Sequence, residues 1–113
     1  MYHKKHTPLY YAKVRLTLYK AIANEPLDAP LDDHQLAQIC TNNNAIISIS
    51  STRKMRLSLG YPSIYKRKTL YKNQTDEQLK TMRKQQAEII QNLEDALERE
   101  KKVQHLIEEM VIS

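Results

Sequence analysis

The sequence predicts an all-α fold, a small helix-turn-helix-like head followed by a long C-terminal coiled-coil helix. Three observations carry that prediction. A single glycine, Gly60, in 113 residues cannot supply the repeated tight turns of an all-β sandwich. The aromatics are seven Tyr with no Trp and no Phe, so a core must be built from Leu, Ile, Ala and Met, which suits small helix packings. After Thr75 neither proline nor glycine occurs, and apolar residues recur at heptad spacing. The division expected is a head over residues 1–72 and an oligomerisation helix over residues 75–113.

Pro8 fits the first turn of a helix with Thr7 as its N-cap, and Leu9, Ala12, Leu16 and Tyr19 recur behind it at helical spacing. A first helix is therefore expected from Pro8 to Ala23, stopped by Asn24-Glu25-Pro26. Asp32 or Asp33 can cap a second helix, roughly Asp33 to Cys40, with Leu36, Ala37, Ile39 and Cys40 inward. Asn42-Asn43-Asn44 then forces a turn, because Asn tolerates positive φ and bonds its own backbone. The favoured third helix runs from about Asn44 to Leu59 with Gly60 as its terminal cap; the rival is a helix only from Ser51 after a short strand. Ser63 to Tyr71 reads as a further short helix or a basic arm.

The tail carries the clearest pattern. Thr75 caps it, Gln78 completes a capping box, and Asp76 and Glu77 suit the positive end of the helix dipole. With Leu79 at position a, the a row is Leu79, Gln86, Leu93, Glu100 and Ile107, and the d row is Met82, Ile89, Ala96, Val103 and Met110. Gln86 and Glu100 interrupt the seam; they either mark a poor heptad fit or set register. Such a stripe, about 55 Å long at 1.5 Å per residue, exceeds what a head of this size can cover. The expected partner is a second copy of the chain, joined through 75–113.

Charge divides along the same boundary. Residues 1–75 hold twelve Lys/Arg and four Asp/Glu, a net of +8, whereas residues 76–113 net −3. Between Thr52 and Thr75 stand Arg53, Lys54, Arg56, Lys66, Arg67, Lys68 and Lys72 without one acid, interleaved with Tyr61, Tyr65 and Tyr71. An acid-free basic stretch with phenols attracts a polyanion, the cations reaching phosphates and the tyrosines donating hydroxyls or stacking. Leu36-Ala37-Gln38-Ile39-Cys40 before a polar turn has the look of the first half of a helix-turn-helix, although the turn lacks its usual glycine. The residues expected on double-stranded DNA are Ser51, Thr52, Arg53, Lys54, Arg56, Tyr61, Tyr65, Lys66, Arg67, Lys68 and Lys72. For seven cations the log–log salt slope would be on the order of −4 to −6.

Other classes are disfavoured. Cys40 stands alone, so neither an internal disulfide nor a zinc site is expected. His3 and His6 flank Lys4 and Lys5 without a carboxylate or thiol, which suits a basic arm better than a metal site. His34 beside Asp32 and Asp33 has no partner nucleophile. Catalysis, a metal and a cofactor are accordingly not expected. No apolar run reaches the ~20 residues that span a bilayer, and no h-region follows the charged N-terminus. The expectation is a cytoplasmic, nucleoid-associated protein.

The whole plan resembles the transposase-C-type accessory proteins that accompany tyrosine-recombinase transposons and mobile islands. Ser63-Ile64-Tyr65-Lys66 is similar to that family's Ser-x-x-Tyr-Arg/Lys stretch, one residue short. The resemblance implies a non-enzymatic DNA-binding dimer, a regulator or recombination accessory factor, and a larger recombinase or other neighbour-encoded protein as a further partner. It transfers no specific site. The alternatives are an RNA-binding protein or interaction adaptor whose coiled coil docks on a larger enzyme, and an antitoxin-like inhibitor.

Overall fold

The computed structural model describes residues 6–112, and α-helix is the only regular structure among them. The helices are α1 (Pro8–Ala23), α2 (Asp33–Asn42), α3 (Ile49–Ser58), α4 (Ile64–Lys72) and α5 (Asp76–Ile112). α1 is the centre of the molecule, packed against α2 on one side and most extensively against α5. Its Val14, Leu18 and Ile22 are fully buried with Leu36, Cys40 and Ala45. Full burial of each large side chain in that group stabilises by about 1.5–3 kcal/mol. Ala12, Leu16, Tyr19 and Ala23 form a second buried row, so α1 buries a wide apolar face and leaves Lys13, Thr17 and Lys20 on the other side.

Local chemistry sets the helix boundaries. Asp32 and Gln35 cap α2 reciprocally: the Gln35 N–H donates to Asp32 Oδ1 at 2.8 Å and the Asp32 N–H to Gln35 Oε1 at 2.9 Å. At its far end Asn44 adopts φ 66°, the Asn44 N–H donates to Thr41 O, and the Ala45 N–H to Cys40 O. That is a Schellman stop with Asn in the place of glycine. It overturns the helix expected from Asn44. Residues 45–48 are irregular, Ala45 is buried in the core, and α3 begins at Ile49 behind the Ser48 cap. The connection between α2 and α3 spans 43–48, longer than the three- to four-residue turn of a helix-turn-helix, although the two helices pack on each other.

α3 ends in a second Schellman motif, with Gly60 at φ 87° and the Tyr61 N–H donating to Arg56 O at 3.1 Å. A Cβ at Gly60 meets nothing within 4 Å, so only the left-handed backbone opposes substitution. Gly60→Ala is expected to cost about 1–2 kcal/mol in urea unfolding, and Asn44→Gly to be neutral or slightly stabilising.

Thr75 and Gln78 form the expected capping box, and from there α5 runs 37 residues along the 57 Å long axis of the molecule. The first part of α5 packs against α1 and so lies on the head. Arg83 donates to Ala23 O, Ile22 O and Glu25 O, gathering the carbonyls at and just past the end of α1. Gln86 Nε2 donates to the Tyr61 hydroxyl at 3.1 Å, and Lys20 pairs with Glu94 at 2.9 Å. Gln86, the buried residue of α5, thus interrupts the heptad because it meets the head.

Candidate nucleic-acid interface

The acid-free stretch folds into α3 and α4, and its cations separate into two kinds. Arg67 is buried on the inward line of α4 with Tyr71 and half-buried Ile64. Its Nε donates to Glu25 Oε2 at 2.9 Å and its Nη2 to Oε1 at 3.1 Å, while Nη1 donates to Pro62 O at 2.7 Å. The Tyr71 hydroxyl donates to Glu25 Oε2 at 2.6 Å, and the Leu31 N–H to Oε1 at 2.9 Å. The Arg83 guanidinium lies 5.8 Å from the Tyr71 ring centroid. One buried carboxylate therefore joins α4 to the loop after α1, beside the Arg83 clamp from α5. Arg56 repeats the device on α3: Nε donates to Asp33 Oδ1 at 2.8 Å and Nη1 to Tyr61 O at 2.8 Å.

Four residues expected on DNA are accordingly corrected. Arg56 and Arg67 face inward on carboxylates. Thr52 is fully buried, with its hydroxyl donating to Ser48 O at 2.8 Å. Tyr61 is half-buried against Tyr19, ring centroids 5.2 Å apart, and accepts from Gln86. Helical periodicity carried the signal, since Thr52, Met55, Arg56 and Leu59 repeat at i, i+3, i+4 and i+7 on α3.

The remaining members point outward. Ser51, Arg53 and Lys54 on α3 and Tyr65, Lys66, Lys68 and Lys72 on α4 are exposed, Tyr65 to 81%. Among the described residues none of these five cations is ion-paired. Arg53 and Tyr65 line one cleft with Ser63, so the outer surfaces of α3 and α4 adjoin. Ser50 and Leu57 are also exposed on α3. His3, Lys4 and Lys5 lie outside the described residues.

The buried phenols have a consequence for pH. Burial pushes Tyr61 and Tyr71 well above the usual 10, with Tyr19 adding at Tyr61 and the Glu25 hydrogen bond at Tyr71. Both are neutral in the fold and ionise more easily in the unfolded chain. Their contribution is complete below pH 10 and is lost as pH rises above it. Urea midpoints are expected to fall as pH rises from about 10, and less steeply in Tyr71→Phe.

The expected oligomerisation residues also divide. Leu79, Met82, Leu93 and Ala96 are half-buried on the part of α5 that packs on the head. Ile89, Val103, Ile107 and Met110 are exposed, together with Leu106, Val111 and Ile112. No described helix is long and apolar enough to cross a membrane. No family model matches the chain, and neither does any curated protein or solved structure.

Proposed function

We propose that the protein is a non-enzymatic duplex-DNA binder that acts as a homodimer. α2 and α3 serve as a helix-turn-helix-like pair with an expanded connection. The supporting observation is the outer surface of α3 and α4, two helices that carry no acid of their own, where Arg53, Lys54, Lys66, Lys68 and Lys72 remain unpaired among the described residues once Arg56 and Arg67 are taken inward. Arg53 and Lys54, with Ser50 and Ser51, would lie nearest base edges if α3 enters the major groove, while the α4 lysines and Tyr65 hold the flanking backbone. The three α4 lysines on phosphates imply a log–log salt slope of about −2.7, deepening toward about −4.5 where Arg53 and Lys54 also neutralise phosphates. Fluorescence anisotropy with a duplex across a salt series tests this. A slope near zero rejects the surface, and tighter binding to single strands points to RNA instead.

The second copy is expected on the exposed apolar stripe of α5 beyond the head, where Val103, Leu106 and Ile107 are each about half open. A chain ending at Lys72 would uncover α1 and lose the Arg83 clamp, so it unfolds rather than yielding a folded monomer. A chain ending at Glu100 keeps those contacts. It is expected to retain its helix content and to be monomeric by light scattering where the full chain is dimeric. A full-length monomer refutes the dimer.

A further inference from the structure

Two clefts of similar size open on the head, and they differ in chemistry. One, about 540 Å³, lies between α1, α2 and α5; Glu25 lines it, and its rim cation Lys20 is already paired with Glu94. The other, about 550 Å³, opens between the start of α1, residues 46–48 and α3. This is the size range of small-ligand sites. No acid lines it. One wall is aromatic: His6 stacks on Tyr10 at 3.7 Å, and Tyr11 meets Tyr10 edge-on at 5.4 Å. That wall is fixed across the cleft, because the Tyr10 hydroxyl donates to Ile46 O at 2.6 Å. Met55 supplies apolar surface, and α3 contributes the Ser51 hydroxyl and the Lys54 ammonium. The Ser48 cap puts the positive end of α3 at the same mouth.

We propose that this cleft binds a small aromatic anion, an aryl carboxylate of one or two rings. The ring lies against Tyr10 and Tyr11, and the carboxylate meets Lys54 and the first turn of α3. Lys54 and Ser51 also belong to the surface proposed for DNA, so an occupied cleft and a bound duplex exclude each other. That coupling rests on the DNA reading; the site itself does not.

The test uses the full chain with 2-naphthoate as probe and 2-naphthamide as its uncharged isostere. Amide NMR shifts are expected at Tyr11, Ser51 and Lys54. The acid should bind about fivefold tighter than the amide, the scale of an exposed ion pair. Lys54→Met should remove that preference and Lys54→Arg retain it. Shifts confined to α5, or equal affinity for acid and amide in the parent chain, overturn the site. Duplex binding is then read at saturating 2-naphthoate. Its loss supports the coupling and its persistence overturns the coupling alone. A protein that takes the acid but binds no duplex leaves the cleft standing and rejects the DNA reading.

Discussion

Glu25→Gln is expected to destabilise the protein by about 3–5 kcal/mol, measured by urea unfolding at neutral pH. The carboxylate is fully buried and accepts from Arg67 through both oxygens, from Tyr71 and from the Leu31 backbone. Gln keeps the shape but turns an N–H₂ toward donors that need an acceptor, and leaves the Arg67 charge buried without its counter-ion. Domains of this size have only about 5–15 kcal/mol of total stability, so the loss is a large fraction of it. Arg67→Met leaves the complementary uncompensated carboxylate and should cost a comparable amount. The double variant Glu25→Leu/Arg67→Met is expected to be more stable than either single change, because neither charge is then stranded. It should stay below the parent chain, since the Leu31 N–H and the Tyr71 hydroxyl lose their acceptor. A cost under about 1 kcal/mol for Glu25→Gln would show that water reaches the carboxylate and that this link does not hold α4 in place.

How far the fold was legible follows from the range of the interactions involved. Thr7-Pro8, Asp32 or Asp33, and Thr75 with Gln78 are cap signals legible within a few residues, and α1, α2 and α5 begin where those signals stand. Gly60 likewise marked the end of α3. The start of α3 was misread because Ala45-Ile46-Ile47 looks like helix or strand locally. Asn44 takes the left-handed conformation in a structure that also buries Ala45 beside Cys40, a contact with the core that the local sequence does not report. The tail was legible as one helix, but its packing on α1 was not. Arg83 and Gln86 reach residues far away in sequence, and no local pattern reports such contacts.

The candidate surface was half legible for the same reason. Counting charge treats all cations alike, yet those turned inward are both arginines. A planar guanidinium can satisfy a carboxylate through two bonds and still reach a carbonyl, as Arg56 and Arg67 do. The four lysines of the stretch all stay in water. Glu25 and Asp33 lie upstream of the basic run, so an acid-free stretch in sequence is not an acid-free environment in space.

That distinction determines how the DNA surface must be tested. Reversing Arg53, Lys54 and Arg56 together would place a glutamate at position 56 against Asp33 within the head, and unfolding would then abolish binding for a reason unrelated to DNA. Arg53→Glu/Lys54→Glu avoids this, because both side chains are exposed and unpaired among the described residues. The double variant is expected to keep the parent helix content and unfolding midpoint. Removing two cations from the groove lowers the log–log salt slope by up to about 1.8, and the two new acids repel the backbone besides. Duplex affinity near physiological salt should therefore fall by on the order of 10²-fold. Lys66→Gln/Lys68→Gln should reduce the slope by the same amount with a milder loss, equal across target sequences, since phosphate contacts carry no base information. Arg53→Ala should instead cost about 1–3 kcal/mol on a preferred site and relax the choice of base at one position. Undiminished duplex binding by a folded Arg53→Glu/Lys54→Glu protein would remove α3 from the interface and leave the lysines of α4 as the only basic surface of this stretch able to hold a polyanion.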